Sequence, residues 1–134
     1  MLQVQDPLSL EEQAKVKLIL IVENDVAIGE FLDLLISHET VHCALRVSHS
    51  TEVWSVIKHC KPALFVLNYH LLGTTGIELY DQLHATQELA TIPAIILSTN
   101  LARHLHEIER RQLVGLSIPL ELDEFLETIE NLLV

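Results

Sequence analysis

The sequence predicts an α/β domain with a doubly wound, five-stranded parallel sheet between two layers of helices. Two observations lead there. Short apolar runs with no polar interleaving, such as Leu18-Ile19-Leu20-Ile21-Val22 and Ala63-Leu64-Phe65-Val66-Leu67, read as strands buried on both faces. Between such runs, apolar residues recur at helical spacing, as at Ile28, Phe31, Leu32 and Leu35. Strands alternating with helical patterns imply βαβ units, right-handed crossovers and a three-layer α/β/α arrangement.

The elements follow in order. Residues 1–15 read as a tail or short leading helix, with Ser9 and Glu12 spaced as a capping box. Residues 16–134 form the domain proper. After the first strand, Asp25 caps the first helix. Ala44 to Val47 is the second strand, and Ser50 caps a short helix carrying Val53, Val56 and Ile57. Pro62 opens the third strand. Gly73 and Gly76 bracket a loop, and Ile77, Tyr80 and Leu83 mark the third helix. Pro93 opens the strand Ala94-Ile95-Ile96-Leu97. Leu101, Leu105 and Ile108 mark a fourth helix, and Val114 to Ile118 a short fifth strand. The last helix starts at Asp123 or just before it, with Leu122, Phe125, Leu126, Ile129, Leu132 and Leu133 on one stripe.

Composition narrows the function. A length of 134 residues suits one domain, and 49% hydrophobic residues supply a sizeable core. The formal charge of −11, from 19 acidic and 8 basic residues, opposes binding to nucleic acid or to anionic membranes. Cys43 and Cys60 are too few for a disulfide scaffold and read as buried free thiols. No apolar run approaches the roughly 20 residues of a membrane span, and Met1 to Leu10 lacks a secretory signal, so the expected location is cytoplasmic.

In an open α/β sheet the site lies beyond the carboxyl ends of the strands. The residues there are Glu23 and Asn24 after strand one, Asn68 after strand three, Ser98 after strand four and Ile118 after strand five.

From Lys17 to Val134 the sequence resembles the bacterial response-regulator receiver family. The carriers are Ile19-Leu20-Ile21-Val22-Glu23-Asn24-Asp25, Leu67-Asn68-Tyr69-His70-Leu71-Leu72-Gly73 with Gly76-Ile77-Glu78-Leu79, Ile92-Pro93-Ala94-Ile95-Ile96-Leu97-Ser98, and Ile118-Pro119. The resemblance implies a flavodoxin-like topology. It also implies two acidic residues and a phospho-accepting aspartate around Mg²⁺, with a hydroxyl and a lysine on the phosphoryl oxygens. Glu23 matches the first acidic position and Ser98 the hydroxyl. Asn24 stands at the second acidic position, Asn68 at the acceptor and Ile118 at the lysine, while Leu72 replaces a proline and Gly115 an aromatic.

A carboxamide has no nucleophile comparable to a carboxylate, so Asn68 is expected not to form an acyl phosphate. Only Glu23 among the candidate metal positions Glu23, Asn24 and Asn68 is charged, so Mg²⁺ binding is expected to be weak or absent and no other cofactor is implied. With fewer anions to neutralise, a lysine there would be poorly paired, whereas Ile118 simply packs. The implied function is a stand-alone pseudo-receiver of a two-component or phosphorelay system, not an enzyme. It would act through a protein partner, such as a histidine kinase or another signalling protein. The family resemblance adds a homodimer through the face between the fourth and fifth helices, where His104, Glu107, Arg110 and Arg111 read from sequence as a solvated, mixed-charge face. Two alternatives stay open: phosphorylation at an altered acceptor near Ser98 or Asp25 or at a deamidated Asn68, and a small-molecule sensor using the vacated crevice.

The remaining features carry the plainer reading. The paired His38/His42 and His104/His106 lack a third ligand and read as exposed. Gly73 and Gly76 have no phosphate-loop spacing, and Trp54 reads as partly core.

Overall fold

The apolar run beginning at Leu18 forms strand β1 (Leu18–Val22), in which Ile19 through Val22 are completely buried. The protein is described by a computed structural model that covers Ser9, Leu10 and residues 15–134. Glu12, half of the expected capping box, lies outside the described residues, as does most of the expected leading segment.

Four further strands, β2 (Cys43–Val47), β3 (Leu64–Asn68), β4 (Ala94–Ser98) and β5 (Val114–Ser117), join β1 in one parallel sheet. The order is β2-β1-β3-β4-β5, the flavodoxin-like solution. The helices between them are α1 (Val26–Glu39), α2 (Glu52–Ile57), α3 (Gly76–His84), α4 (Leu101–Arg110) and α5 (Leu122–Leu132).

Alternation along each strand builds two cores. On one face Ile19, Ile21, Val66, Ile95 and Leu97 pack with Leu32 and Ile36 of α1 and Phe125 and Ile129 of α5. On the other, Leu20, Val22, Phe65, Leu67 and Ile96 pack with Val53 of α2, Ile77, Leu79 and Leu83 of α3 and Ile108 of α4. This is why the strands read as unbroken apolar runs. The strand order reverses between β1 and β3, which opens the crevice at their carboxyl ends.

Helix starts fix the loops around that crevice. Asp25 caps α1, its Oδ1 accepting the Ile28 N–H at 3.0 Å, as the sequence predicts. Thr75 caps α3 by accepting the Glu78 N–H at 3.1 Å. The Glu121 carboxylate caps α5, accepting the N–H groups of Asp123 and Glu124. Ser50 is not the cap of α2. Thr51 holds that place without a side-chain bond, and the Glu52 carboxylate instead turns back to accept the His49 N–H at 2.9 Å.

Three burial expectations are corrected. Cys43 and Cys60 are exposed, because β2 is an edge strand and Cys60 follows the end of α2. On α4 the inner stripe is Leu101, His104 and Ile108, so His104 is buried and Leu105 faces out. His42 is buried too; its Nδ1 accepts the Lys17 N–H at 3.1 Å and its Nε2 lies 3.3 Å from the Glu130 carboxylate.

The loop after β3 contains an antiparallel ladder, His70–Leu71 against Thr74–Thr75, that the sequence did not signal. Its turn uses Gly73 at φ +75°, a conformation open to glycine. The chain then returns so closely that a Cβ on Gly76 would lie 2.4 Å from the Asn68 carbonyl oxygen. Gly76→Ala is expected to destabilise the domain by about 1–3 kcal/mol, through displacement of this loop. Urea denaturation measures it; an unchanged midpoint would contradict the close approach.

Candidate functional site

Four of the five strand ends, all but that of β2, carry one or two of the expected site residues. Glu23 follows β1, and its backbone N–H donates to the Val47 carbonyl at 3.1 Å, which holds it against the end of β2. It is 2% exposed. Asn68 closes β3, and its side chain meets Glu23 across the sheet: Asn68 Nδ2 donates to Glu23 Oε1 at 2.6 Å. The other amide atom is used as well, since Asn68 Oδ1 accepts the His70 N–H at 3.0 Å.

Asn24 makes the second bridge. Its Oδ1 accepts the Leu72 N–H at 3.0 Å, and its Nδ2 donates to the Ser48 carbonyl. One side chain thereby ties the loop after β2 to the loop after β3. Both asparagines donate with one end and accept with the other. A carboxylate cannot donate, so an aspartate at either position would leave the Ser48 carbonyl or the Glu23 carboxylate facing a negative oxygen.

Burial pushes the Glu23 carboxyl above the usual carboxylate range. The Asn68 amide and the backbone N–H groups of Asp25 and Asn24 act in the opposite direction, and the Asp25 charge adds to the rise.

Ser98 and Ile118 form a separate group. Ser98 is fully buried, its Oγ accepting the Asn100 N–H at 2.9 Å, and its carbonyl accepts the Ile118 N–H at 3.0 Å. Among the described residues no side-chain hydrogen bond joins this group to Asn68. Ile118 lines an apolar cavity of about 230 Å³ with Ile28, Phe31, Leu97, Pro119 and Leu120.

The donor set does not fit a resident Mg²⁺. The Asn68 amide nitrogen, not an oxygen, faces Glu23, and the carbonyl oxygens of Asn68 and Asn24 already accept backbone N–H groups. Glu23 alone supplies charge, where Mg²⁺ sites use hard oxygen ligands and one or two carboxylates. Among the described residues no group of three or more His, Cys, Asp or Glu is placed to hold a metal ion.

One cluster escapes the sequence reading. Tyr69 stacks on His104 with ring centroids 3.5 Å apart and planes 15° from parallel, and its hydroxyl donates to Glu107 Oε2 at 2.9 Å. Burial and the Glu107 carboxylate hold the phenol above its ordinary value. Burial holds His104 below the ordinary imidazole range. The signal was present in outline: Tyr69 follows a buried strand and points to the face opposite Asn68, and His104 shares the α4 stripe of Leu101 and Ile108. The expected mixed-charge surface is therefore partly internal. Glu107 holds Tyr69, and Arg111 makes a two-point pair with Asp81 of α3 at 2.7 and 2.8 Å.

Asn68→Asp alone is expected to place two carboxylates about 2.6 Å apart. Such a pair retains a proton in the folded state, because burial already raises Glu23. A carboxyl raised on folding contributes stability at low pH and loses it as the pH rises through the folded value. The variant should therefore lose about 1–3 kcal/mol relative to the parent between pH 5 and pH 8 in urea denaturation. A pH-independent difference would contradict the geometry.

Comparison with known proteins gives the same fold. No protein-family model matches the chain. The phosphate regulon transcriptional regulatory protein PhoB of Pseudomonas aeruginosa is 33% identical over 82 residues, which is 61% of this chain and 35% of that protein. The chain thus spans about a third of the length of that curated relative. A response regulator receiver protein from Pseudomonas putida superposes with a TM-score of 0.76 at 21% identity, covering 87% of this chain and 97% of that one. A CheY-like receiver domain from Methylobacillus flagellatus gives 0.78 at 19% identity, with 87% and 98% covered. With β2-β1-β3-β4-β5 order, two helices on one face and three on the other, the chain has the CheY-type fold seen in response-regulator receiver domains.

Proposed function

We propose that this domain, residues 16–134, signals through protein–protein contacts without aspartyl phosphorylation or a bound Mg²⁺. The observation that carries the reading is the 2.6 Å bond from the Asn68 amide to Glu23, which fills the place of the acceptor and its cation with a neutral donor. Glu23, Asn24, Asn68, Ser98 and Ile118 are then the remains of a phosphoacceptor pocket, kept as a structural network. No catalytic role falls to them.

The proposed partner is a protein, a histidine kinase or another signalling protein, met in the cytoplasm. The exposed side of α4 toward α5, with Arg103, His106 and Arg110, is the proposed face for a homodimer. The charge of −11 disfavours nucleic acid and anionic membranes, and no helix among the described residues is long and apolar enough to cross a membrane.

The altered-acceptor reading finds less support. Ser98 Oγ is buried and engaged, and Asp25 Oδ1 caps α1. Deamidation of Asn68 requires attack by the Tyr69 backbone nitrogen, which donates to the Leu97 carbonyl at 2.7 Å. The small-molecule reading has a specific observation in its favour, the apolar cavity beside Ile118. Its size suits a one-ring neutral compound, below the usual span of drug-sized sites.

Incubation with acetyl phosphate or phosphoramidate and Mg²⁺, read by intact mass, is expected to leave the chain unmodified, while the triple variant Asn24→Asp, Asn68→Asp, Ile118→Lys gains one phosphoryl group. A stoichiometric phosphoryl gain by the parent chain would sink the proposal. For the second reading, phenol titrated against the protein should shift amide resonances around Ile28 and Ile118, and Ile118→Trp should abolish the shifts; no saturable shift in the parent removes that reading.

A further inference from the structure

The residue after Asn68 is held from every side. The Tyr69 N–H donates to the Leu97 carbonyl at 2.7 Å, and its own carbonyl accepts the Gly76 N–H at 2.8 Å. These bonds fix its backbone to β4 and to the start of α3. Its side chain, 7% exposed, reaches α4 and grips two successive positions on one helix face, His104 by stacking and Glu107 by a hydrogen bond. His70 completes the cluster, its ring edge-on to both Tyr69 at 5.0 Å and His104 at 5.6 Å. The His70 N–H is the group that Asn68 Oδ1 accepts.

The crevice and the helix therefore share two consecutive residues. Asn68 sets the position of His70 by a hydrogen bond and of Tyr69 through the peptide link between them. Tyr69 and His70 in turn set His104. Helix α4 has other attachments: Leu101 and Ile108 close over Gly115, where a Cβ would meet them at 2.7 and 3.0 Å, and Arg111 binds Asp81. The β4–α4 loop has its own tie, Ser98 Oγ to the Asn100 N–H, which does not involve Asn68. The route from Asn68 to the helix runs through the loop after β3.

We propose that Tyr69 and His104 form a strut that transmits the hydrogen-bonding state of Asn68 to helix α4 and to its exposed face. Any event that turns the Asn68 amide displaces the loop backbone, and the stacked ring carries that displacement to His104 and Glu107. The proposal does not depend on whether Asn68 accepts a phosphoryl group. It assigns this chain a coupling path that uses the residue next to the acceptor position.

Amide hydrogen exchange followed by NMR tests it. Asn68→Ala in the otherwise native chain is expected to speed exchange of the α4 amides about fivefold, the equivalent of one net hydrogen bond. In a His104→Leu background, which keeps an apolar side chain under the loop, the same substitution should speed them less than about twofold. Amides of α5 serve as the control and should not change in either background. Equal acceleration with and without His104, no acceleration of α4 in the native background, or equal acceleration of α4 and α5 would each overturn the strut. Asn68→Ser replaces Asn68→Ala if the latter fails to fold, with the same criteria.

Discussion

The hydrogen bond between Asn68 and Glu23 is the constraint around which the carboxyl edge of the sheet is arranged. Glu23 is a nearly fully buried carboxylate at the end of a fully apolar strand. A buried charge is costly unless paired or hydrogen-bonded. Here it is neutralised by neither a lysine nor a metal ligand set. It is solvated by a carboxamide and nearby backbone N–H groups, and its carboxyl is held above the usual range by burial. One residual charge in that setting explains the neighbours. Asn24 bridges two loops as a neutral donor and acceptor, and Ile118 turns the adjoining space apolar.

The same bond links the site to the rest of the molecule. Asn68 sits between two packing layers, since β3 is central and pairs with both β1 and β4. Its side chain turns to Glu23, and the next residue turns to α4. Helix α4 is unusual among the five in burying a histidine on its inner stripe, and that histidine is accommodated because an aromatic ring lies flat on it. Two polar groups beside that stripe have named partners: Glu107 holds Tyr69, and Arg111, just past the helix end, holds Asp81 and the Glu107 carbonyl.

Much of the fold was legible in the sequence. The strands were unbroken apolar runs because both faces of the sheet are covered, and Asp25 announced α1 because capping is a local interaction three residues long. The legible part of the site was the identity of the residues at each strand end. Their partners were not, because Asn68 and Glu23 are 45 residues apart and Asn24 and Leu72 are 48 apart, and such contacts are set by strand order. Burial at the margins was misread for similar reasons. Cys43 lies in an apolar-patterned strand, yet that strand is at the sheet edge. Leu105 and His104 are neighbours on α4, and a shift of one position decides which of them faces the core. The tie from Glu121 to α5 was missed because Glu is an infrequent cap beside Ser, Thr, Asp and Asn.

The proposed loss of cation binding hinges on the amide–carboxylate bond from Asn68 to Glu23. The most direct measurement is a Mg²⁺ titration followed through the side-chain amide resonances of Asn68. The account predicts one pair of slowly exchanging signals that does not move as Mg²⁺ is added at constant ionic strength. Saturable shifts at Asn68 and Glu23, with release of the amide protons to fast exchange, would contradict it.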